Sequence, residues 1–292
     1  MGKIAVVGAT GFYGGIAINY LLQRGVTPSD IVAIYRNESK AVPLKEKGLE
    51  LRKGDYQSGS FPPEIFEGVE KLLFIPGNDP DSLKRIKDHI VVVEAAAKAK
   101  ISHIVYPGIA FPEQSTFGLE NVHVATERSI KAANIPYTFL RNAFYSEYVL
   151  PDNELKRAVE SGVLEVLPSP KKINTVSRED MAHAAAVVLT TEGHINKSYD
   201  ITAPEAFSYQ DVADALTKVT GKTVIVQETT YEKRSAFLDS IGVPKPFQAF
   251  DAVLIQAGFA DGWAELTSTT LVDLIGVDNV TTPEKIAKRI FA

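Results

Sequence analysis

Three glycines, Gly8, Gly11 and Gly14, stand between an apolar run (Lys3-Ile4-Ala5-Val6-Val7) and a segment with helical patterning. That spacing suits the binding of a pyrophosphate. The first glycine makes a tight bend, the second leaves bare backbone for the anion, and the third lets helix and strand pack closely. A helix opening at this point offers free N–H groups and partial positive charge to phosphate. The strand–turn–helix context makes Gly8, Thr10, Gly11, Phe12, Tyr13 and Gly14 the expected dinucleotide-binding loop. At the end of the next apolar run (Ile34-Tyr35-Arg36-Asn37), a site for NAD would carry an acid for the ribose 2′-hydroxyl. No Asp or Glu occupies 34–37. Arg36 instead presents a permanently charged fork suited to a 2′-phosphate, with Lys40 nearby, so NADP(H) is the expected cofactor. Asp55 and Tyr56 fall where the adenine would be contacted, and Ile75 and Pro76 where the chain would pass along the cofactor.

Short-chain dehydrogenases normally protonate their substrate through a Tyr-x-x-x-Lys pair. The chain has 11 tyrosines, and none is followed by lysine four residues later. The equivalent helix reads His123-Val124-Ala125-Thr126-Glu127. Ketone or sugar chemistry therefore lacks its proton donor. Hydride transfer to a quinone is less demanding, because the product phenolate is stabilised by aromatisation and a hydrogen-bond donor can suffice. His123 is a candidate to face the substrate. The other four histidines, at 89, 103, 183 and 194, show no metal-ligand spacing, so no metal is expected.

These groups need a rigid frame. Short β-branched runs at 3–7, 31–35, 49–53, 71–75, 103–106 and 136–140 alternate with helical patterns at 12–24, 39–47, 61–67, 81–99 and 122–133. Nearly continuous apolar strands imply a parallel sheet covered on both faces. The fold class is thus α/β, a Rossmann doubly wound parallel sheet with a smaller, mostly helical C-terminal lobe. After Tyr148 the pattern loosens, and Pro151, Pro168 and Pro170 break up 150–177. A helix over 177–190, a strand at 198–202, a helix at 209–219 and a strand at 223–228 follow. Helices near 231–241 and 247–262, and a final one opened by Pro283, complete the chain. The expected division is a Rossmann domain over 1–150, joined again by 178–203, and a substrate-binding lobe from 151–177 and 204–292.

Of 292 residues, 45% are hydrophobic and 23% charged, enough for a sizeable core. The net charge of −5 argues against a nucleic-acid partner, which requires a basic stripe. The absence of cysteine removes disulfides, thiolate nucleophiles and thiolate metal sites. No apolar run approaches the roughly 18 residues that span a bilayer, and the start of the chain lacks a signal-peptide layout. A cytoplasmic protein with no membrane partner is expected. A homo-oligomer through the helices flanking the sheet is left open.

Several segments together resemble a known family: GATGFYG at 8–14, VAIYRN at 32–37, GDY at 54–56, VEKLLFIP at 69–76 and YTFLRNAFYSE at 137–147. They are similar to the atypical short-chain dehydrogenases of the NmrA-like group, and most of all to its bacterial type-2 NAD(P)H:quinone oxidoreductase branch. The resemblance implies an NADPH-binding Rossmann domain, a quinone-sized substrate and no flavin. It also implies that Asn142 and Tyr145 line the active site, with Asn142 donating to a quinone oxygen. One departure stands out. The fifth strand continues Tyr106-Pro107-Gly108, where relatives carry a hydroxyl residue just after the aromatic. Two other readings share the missing Tyr–Lys pair or the fold: an NmrA-like redox sensor that binds NADP(H) and regulates a protein partner, and a sugar-nucleotide epimerase or dehydratase.

Overall fold

The computed structural model describes residues 2–115, 118–168, 172–240, 242, 245, 248 and 262–292. The chain forms two compact units. The first comprises Met1–Pro112, Gly118–Asn142 and Arg178–Ile201. Its strands are β1 (Lys3–Val7), β2 (Ile31–Tyr35), β3 (Glu50–Lys53), β4 (Val69–Phe74), β5 (His103–Ile109), β6 (Tyr137–Asn142) and, after the chain returns, a last strand Lys197–Ile201. All pair in parallel. With the returning strand outermost beside β6, the order is last strand, β6, β5, β4, β1, β2, β3. Ile4, Ala5, Leu72, Leu73, Ile104 and Val105 are fully buried, as strands covered on both faces require. Each large aliphatic buried in this way contributes on the order of 1.5–3 kcal/mol.

Helices α1 (Phe12–Gln23), α2 (Glu38–Glu46), α3 (Ser82–Lys98) and α4 (Leu119–Ala132) connect the strands, and Arg178–Thr190 leads into the last one. Asp81 caps α3, its carboxylate accepting from the N–H groups of Leu83 and Lys84 at 2.9 and 3.0 Å. The helix expected at 61–67 is a short 3-10 turn, Pro63–Phe66, since adjacent Pro62 and Pro63 supply no N–H groups to build on.

β5 runs three residues further than expected and carries Pro107 in the middle of a sheet. The register explains why this is tolerated. Ile104 and Ala110 donate their N–H groups toward the β6 side, to Pro136 and Asn142. Odd-numbered residues of β5 therefore face β4, and that pairing ends at Leu73–Val105. Pro107 lies beyond the last rung, where no donor is needed.

The second unit comprises Glu113–Phe117, Ala143–Ser177 and Thr202–Ala292. It holds two short parallel strand pairs, Phe144–Tyr145 with Thr175–Val176 and Val163–Val166 with Ile225–Glu228. Its core gathers Leu155, Val159, Leu164, Val212, Leu216 and Ile286. Within 150–177 a helix, Asp152–Ser161, forms where the prolines suggested a break, because Pro151 occupies its cap position and so interrupts nothing, while Pro170 lies outside the described residues. Helix Tyr209–Thr220 opens with a capping box between Ser208 and Asp211. The helix expected over 247–262 lies almost entirely outside the described residues. Among the described residues no helix is long and apolar enough to cross a membrane.

Candidate active site

The strand order reverses direction at β1 and β4, the position at which α/β sheets bind ligands outside the carboxyl ends of their strands. Gly8 leaves β1 with φ +85°, a left-handed conformation that favours glycine. Its carbonyl accepts the Gly11 N–H at 3.0 Å, which closes the turn. A Cβ on Gly14 would lie 2.3 Å from the Gly8 oxygen and 3.0 Å from the Ala9 Cα, so α1 crosses the strand end at backbone contact. No side chain caps α1 and no acid lies in its first turn, which leaves the N–H groups and positive end of the helix dipole for an anion.

The six loop residues divide by role. Gly11 and Phe12 are exposed and Thr10 half-buried. The Tyr13 ring turns inward, and its hydroxyl donates to the Met181 carbonyl at 3.0 Å, so only its main chain belongs to the loop. A residue the local sequence did not suggest also arrives here. Arg178, the first residue of the returning helix, places its guanidinium 4.1 Å from the centroid of the exposed Phe12 ring. This adds positive charge beside the helix N-terminus. Only the topology reveals it, since 166 positions separate the two residues.

At the end of β2, exposed Arg36 donates to the Gln57 side chain. Asn37 caps α2 by accepting from Ser39 N–H at 3.0 Å, and Lys40 is exposed in the first turn that follows. Asp55 is committed to its own turn, accepting from Gln57 N–H at 3.0 Å. Tyr56 packs edge-on against Phe61 and Phe74. Burial is the main reason its phenol is pushed up to about 12, opposed by the guanidinium groups of Arg36 and Arg85. Ile75 donates its N–H to the Val7 carbonyl at 3.3 Å, and its side chain lies against Gly8, which stitches the β4 loop, including half-buried Pro76, to the glycine loop.

At the end of β6 two motifs meet. Glu127 of α4 accepts both Nε and Nη2 of Arg141, at 3.0 and 2.8 Å, in a largely buried bidentate pair. This pair fixes the strand end that carries Asn142. Asn142 is 3% exposed, and neither its amide nitrogen nor its oxygen has a hydrogen-bond partner among the described residues. Orphaned buried polar groups are costly, and in native proteins an ordered water, an ion or a ligand commonly supplies the missing partner. Three residues on, in the second unit, Tyr145 stacks on exposed Tyr148 with centroids 5.7 Å apart. His123 is buried rather than presented to solvent. Its Nδ1 meets the Tyr106 hydroxyl at 2.9 Å, and desolvation holds the imidazole well below its usual range. It is an interior hydrogen-bond partner. Among the described residues no three His, Asp or Glu side chains group as metal ligands.

The arrangement can hold a dinucleotide along β1, β2 and β4 and offer one amide at the end of β6. It supplies no tyrosine–lysine acid.

Comparison with known proteins agrees with this geometry. Quinone oxidoreductase 2 of Escherichia coli is 34% identical over 284 residues, 97% of each chain. The crystal structure of the NADPH-dependent enzyme from E. coli with NADPH superposes with TM-score 0.87 at 33% identity, covering 99% of this chain and 100% of that one. The triphenylmethane reductase of Citrobacter sp., solved with NADP(H), superposes with TM-score 0.92 at 40% identity over 99% of both chains. The profile of the NmrA-like family matches residues 1–250, and the chain belongs to that family.

Proposed function

We propose that this chain is an oxidoreductase that takes hydride from NADPH and delivers it directly to a flat, conjugated acceptor, a quinone in the first instance, without flavin. The orphaned carboxamide of Asn142 is the observation that carries this reading. A quinone oxygen accepting from its amide gains negative charge as hydride arrives, and a donor aimed at developing charge stabilises the transition state. NADPH supplies the hydride, and the protein positions the two reactants and excludes water. The lack of cysteine fits a reducing, cytoplasmic setting.

A specific feature favours a second acceptor class in the same reaction. With no Tyr–Lys pair, and with Pro107 and Gly108 where a hydroxyl residue would follow Tyr106, the sequence supplies neither of the usual proton donors. An acceptor that is already a delocalised cation, such as a triarylmethane dye, becomes neutral on receiving hydride and needs no proton.

Following absorbance of the reduced nicotinamide with benzoquinone and with a cationic triarylmethane dye tests both. For the nearly isosteric Asn142→Leu we expect quinone turnover to fall about a hundredfold, dye turnover to fall less, and thermal stability to hold or rise as an orphaned amide is removed. No turnover of either acceptor by the wild type overturns the proposal. Arg36→Ala should lower the preference for NADPH over NADH in kcat/KM by about 10- to 100-fold, the worth of a charge-assisted contact. An unchanged ratio would assign the 2′-phosphate to another residue.

A further inference from the structure

His89, on α3, is fully buried and is none of the residues described above at the glycine loop, at the end of β2 or at the Asn142 end of the sheet. Its two nitrogens have defined partners. Nε2 lies 3.2 Å from the Gly77 backbone nitrogen, in the loop after β4. A backbone N–H only donates, so Nε2 is bare and accepts. Nδ1 lies 2.8 Å from the Thr126 hydroxyl, which itself donates to the Val122 carbonyl at 2.9 Å. The hydroxyl proton is thereby used, and Thr126 must accept from Nδ1–H. The chain of bonds selects one neutral tautomer, Nδ1-protonated. Burial agrees, pushing the imidazole down to about 3 with help from the Arg85 guanidinium. The ring is also confined by edge-on contacts with Phe74, Tyr106 and Tyr56 at 5.3, 6.2 and 6.5 Å.

The segment this histidine holds is one of the two that cross the strand ends. Ile75 is already stitched to Val7 and Gly8 on the β1 side. Gly77 is anchored on the α3 side by His89, and the Tyr56 hydroxyl lies 3.0 Å from where a Gly77 Cβ would sit, so a side chain there would press on the Tyr56 ring. We infer that His89, locked in its Nδ1–H tautomer by Thr126, is a positioning residue that fixes the Ile75–Gly77 backbone against the glycine loop so that the cofactor meets a preformed wall. The inference rests on the NADPH-binding reading and names a residue that acts through Gly77 without touching cofactor.

The test compares His89→Met, which loses the acceptor, with His89→Gln, whose Oε1 can replace it, and Thr126→Val, which removes the acceptor of Nδ1–H. NADPH affinity should fall about tenfold in His89→Met, carried by KM for NADPH more than by kcat, and His89→Gln should recover most of it. Long-range 15N–1H spectra of the wild type should show Nδ1 protonated and Nε2 bare; Thr126→Val should keep that tautomer, which the Gly77 N–H still requires, but move the Nδ1 resonance as its acceptor is lost. Equal NADPH affinity in His89→Met and His89→Gln, or a protonated Nε2 in the wild type, would overturn the inference. If His89→Met does not fold, the comparison of wild type with His89→Gln and Thr126→Val still decides it. A wild type that binds NADPH but reduces no acceptor sinks the reductase reading and leaves this one standing. A wild type that binds no NADPH sinks both.

Discussion

Alanine at position 14 is expected to weaken NADPH binding by at least a hundredfold and to lower stability by about 1–3 kcal/mol, the usual cost of forcing atoms into a packed site. The cause is entirely backbone. The new Cβ would meet the Gly8 oxygen at 2.3 Å and the Ala9 Cα at 3.0 Å, and neither atom can rotate away. α1 would have to back off from β1, which pulls its N-terminal N–H groups away from the turn that closes over them. The neighbouring glycine supplies the control. A Cβ on Gly15 would find its nearest contact at 4.0 Å, in ordinary helical backbone. Gly15→Ala should therefore stabilise the fold by up to about 1 kcal/mol through helix propensity. The pair separates close approach from a general dislike of side chains in the loop. Calorimetric titration with NADPH and urea unfolding of both variants measure the two effects. NADPH affinity for Gly14→Ala within threefold of wild type would mean that the cofactor does not use this turn.

What could be read from the sequence was what is local. Val6, Ile34 and Leu73 sit in apolar runs whose continuity says that both faces of the sheet are covered. The glycine spacing and the missing acid at 34–37 are both short-range patterns. The rest depended on topology. Arg141 and Glu127 look like ordinary charged residues on a strand and a helix until the fold brings them into one bidentate pair. Arg178 opens a helix distant in sequence and reaches Phe12 only because the chain returns to the first unit. Pro151 and Pro107 were misleading in opposite directions: one caps a helix that it was expected to prevent, and the other sits within a strand because its neighbour has ended. The resemblance pointed to Asn142, but its lack of partners is a property of the packed end of β6. His123 shows the limit of placing a residue by motif alone. A helical position gives a face, and here that face is the core.

Acid is expected to unfold the protein steeply through its histidines. Three are buried and neutral. Desolvation pushes His89 down to about 3 and His103 to about 4, and holds His123 well below its usual range. His103 is locked much as His89 is, its Nε2 meeting the Thr138 hydroxyl at 2.7 Å while that hydroxyl donates to the His194 carbonyl. In the unfolded chain all three would titrate near 6.5. The sign follows from those positions. Below about pH 6 the unfolded state holds protons that the folded state does not, so stability is greatest above 6.5 and falls as pH drops toward the folded values. Three such groups cost roughly 4 kcal/mol per pH unit between about pH 5.5 and 4.5. A domain stable by about 5–15 kcal/mol cannot absorb that for long. The ion-paired carboxylates Glu50 and Asp152 shift the same way, but they are too exposed to contribute comparably. Urea midpoints for the cofactor-free protein between pH 7 and 4.5 should fall along this slope, and calorimetric unfolding near pH 5 should take up about three protons. His103→Gln should remove about one of them and flatten the slope by a third. Uptake of less than one proton in the wild type would mean that the buried imidazoles are already charged in the native state. The Gly77–His89 hydrogen bond could not then exist as described, because a charged ring has no bare nitrogen to accept with.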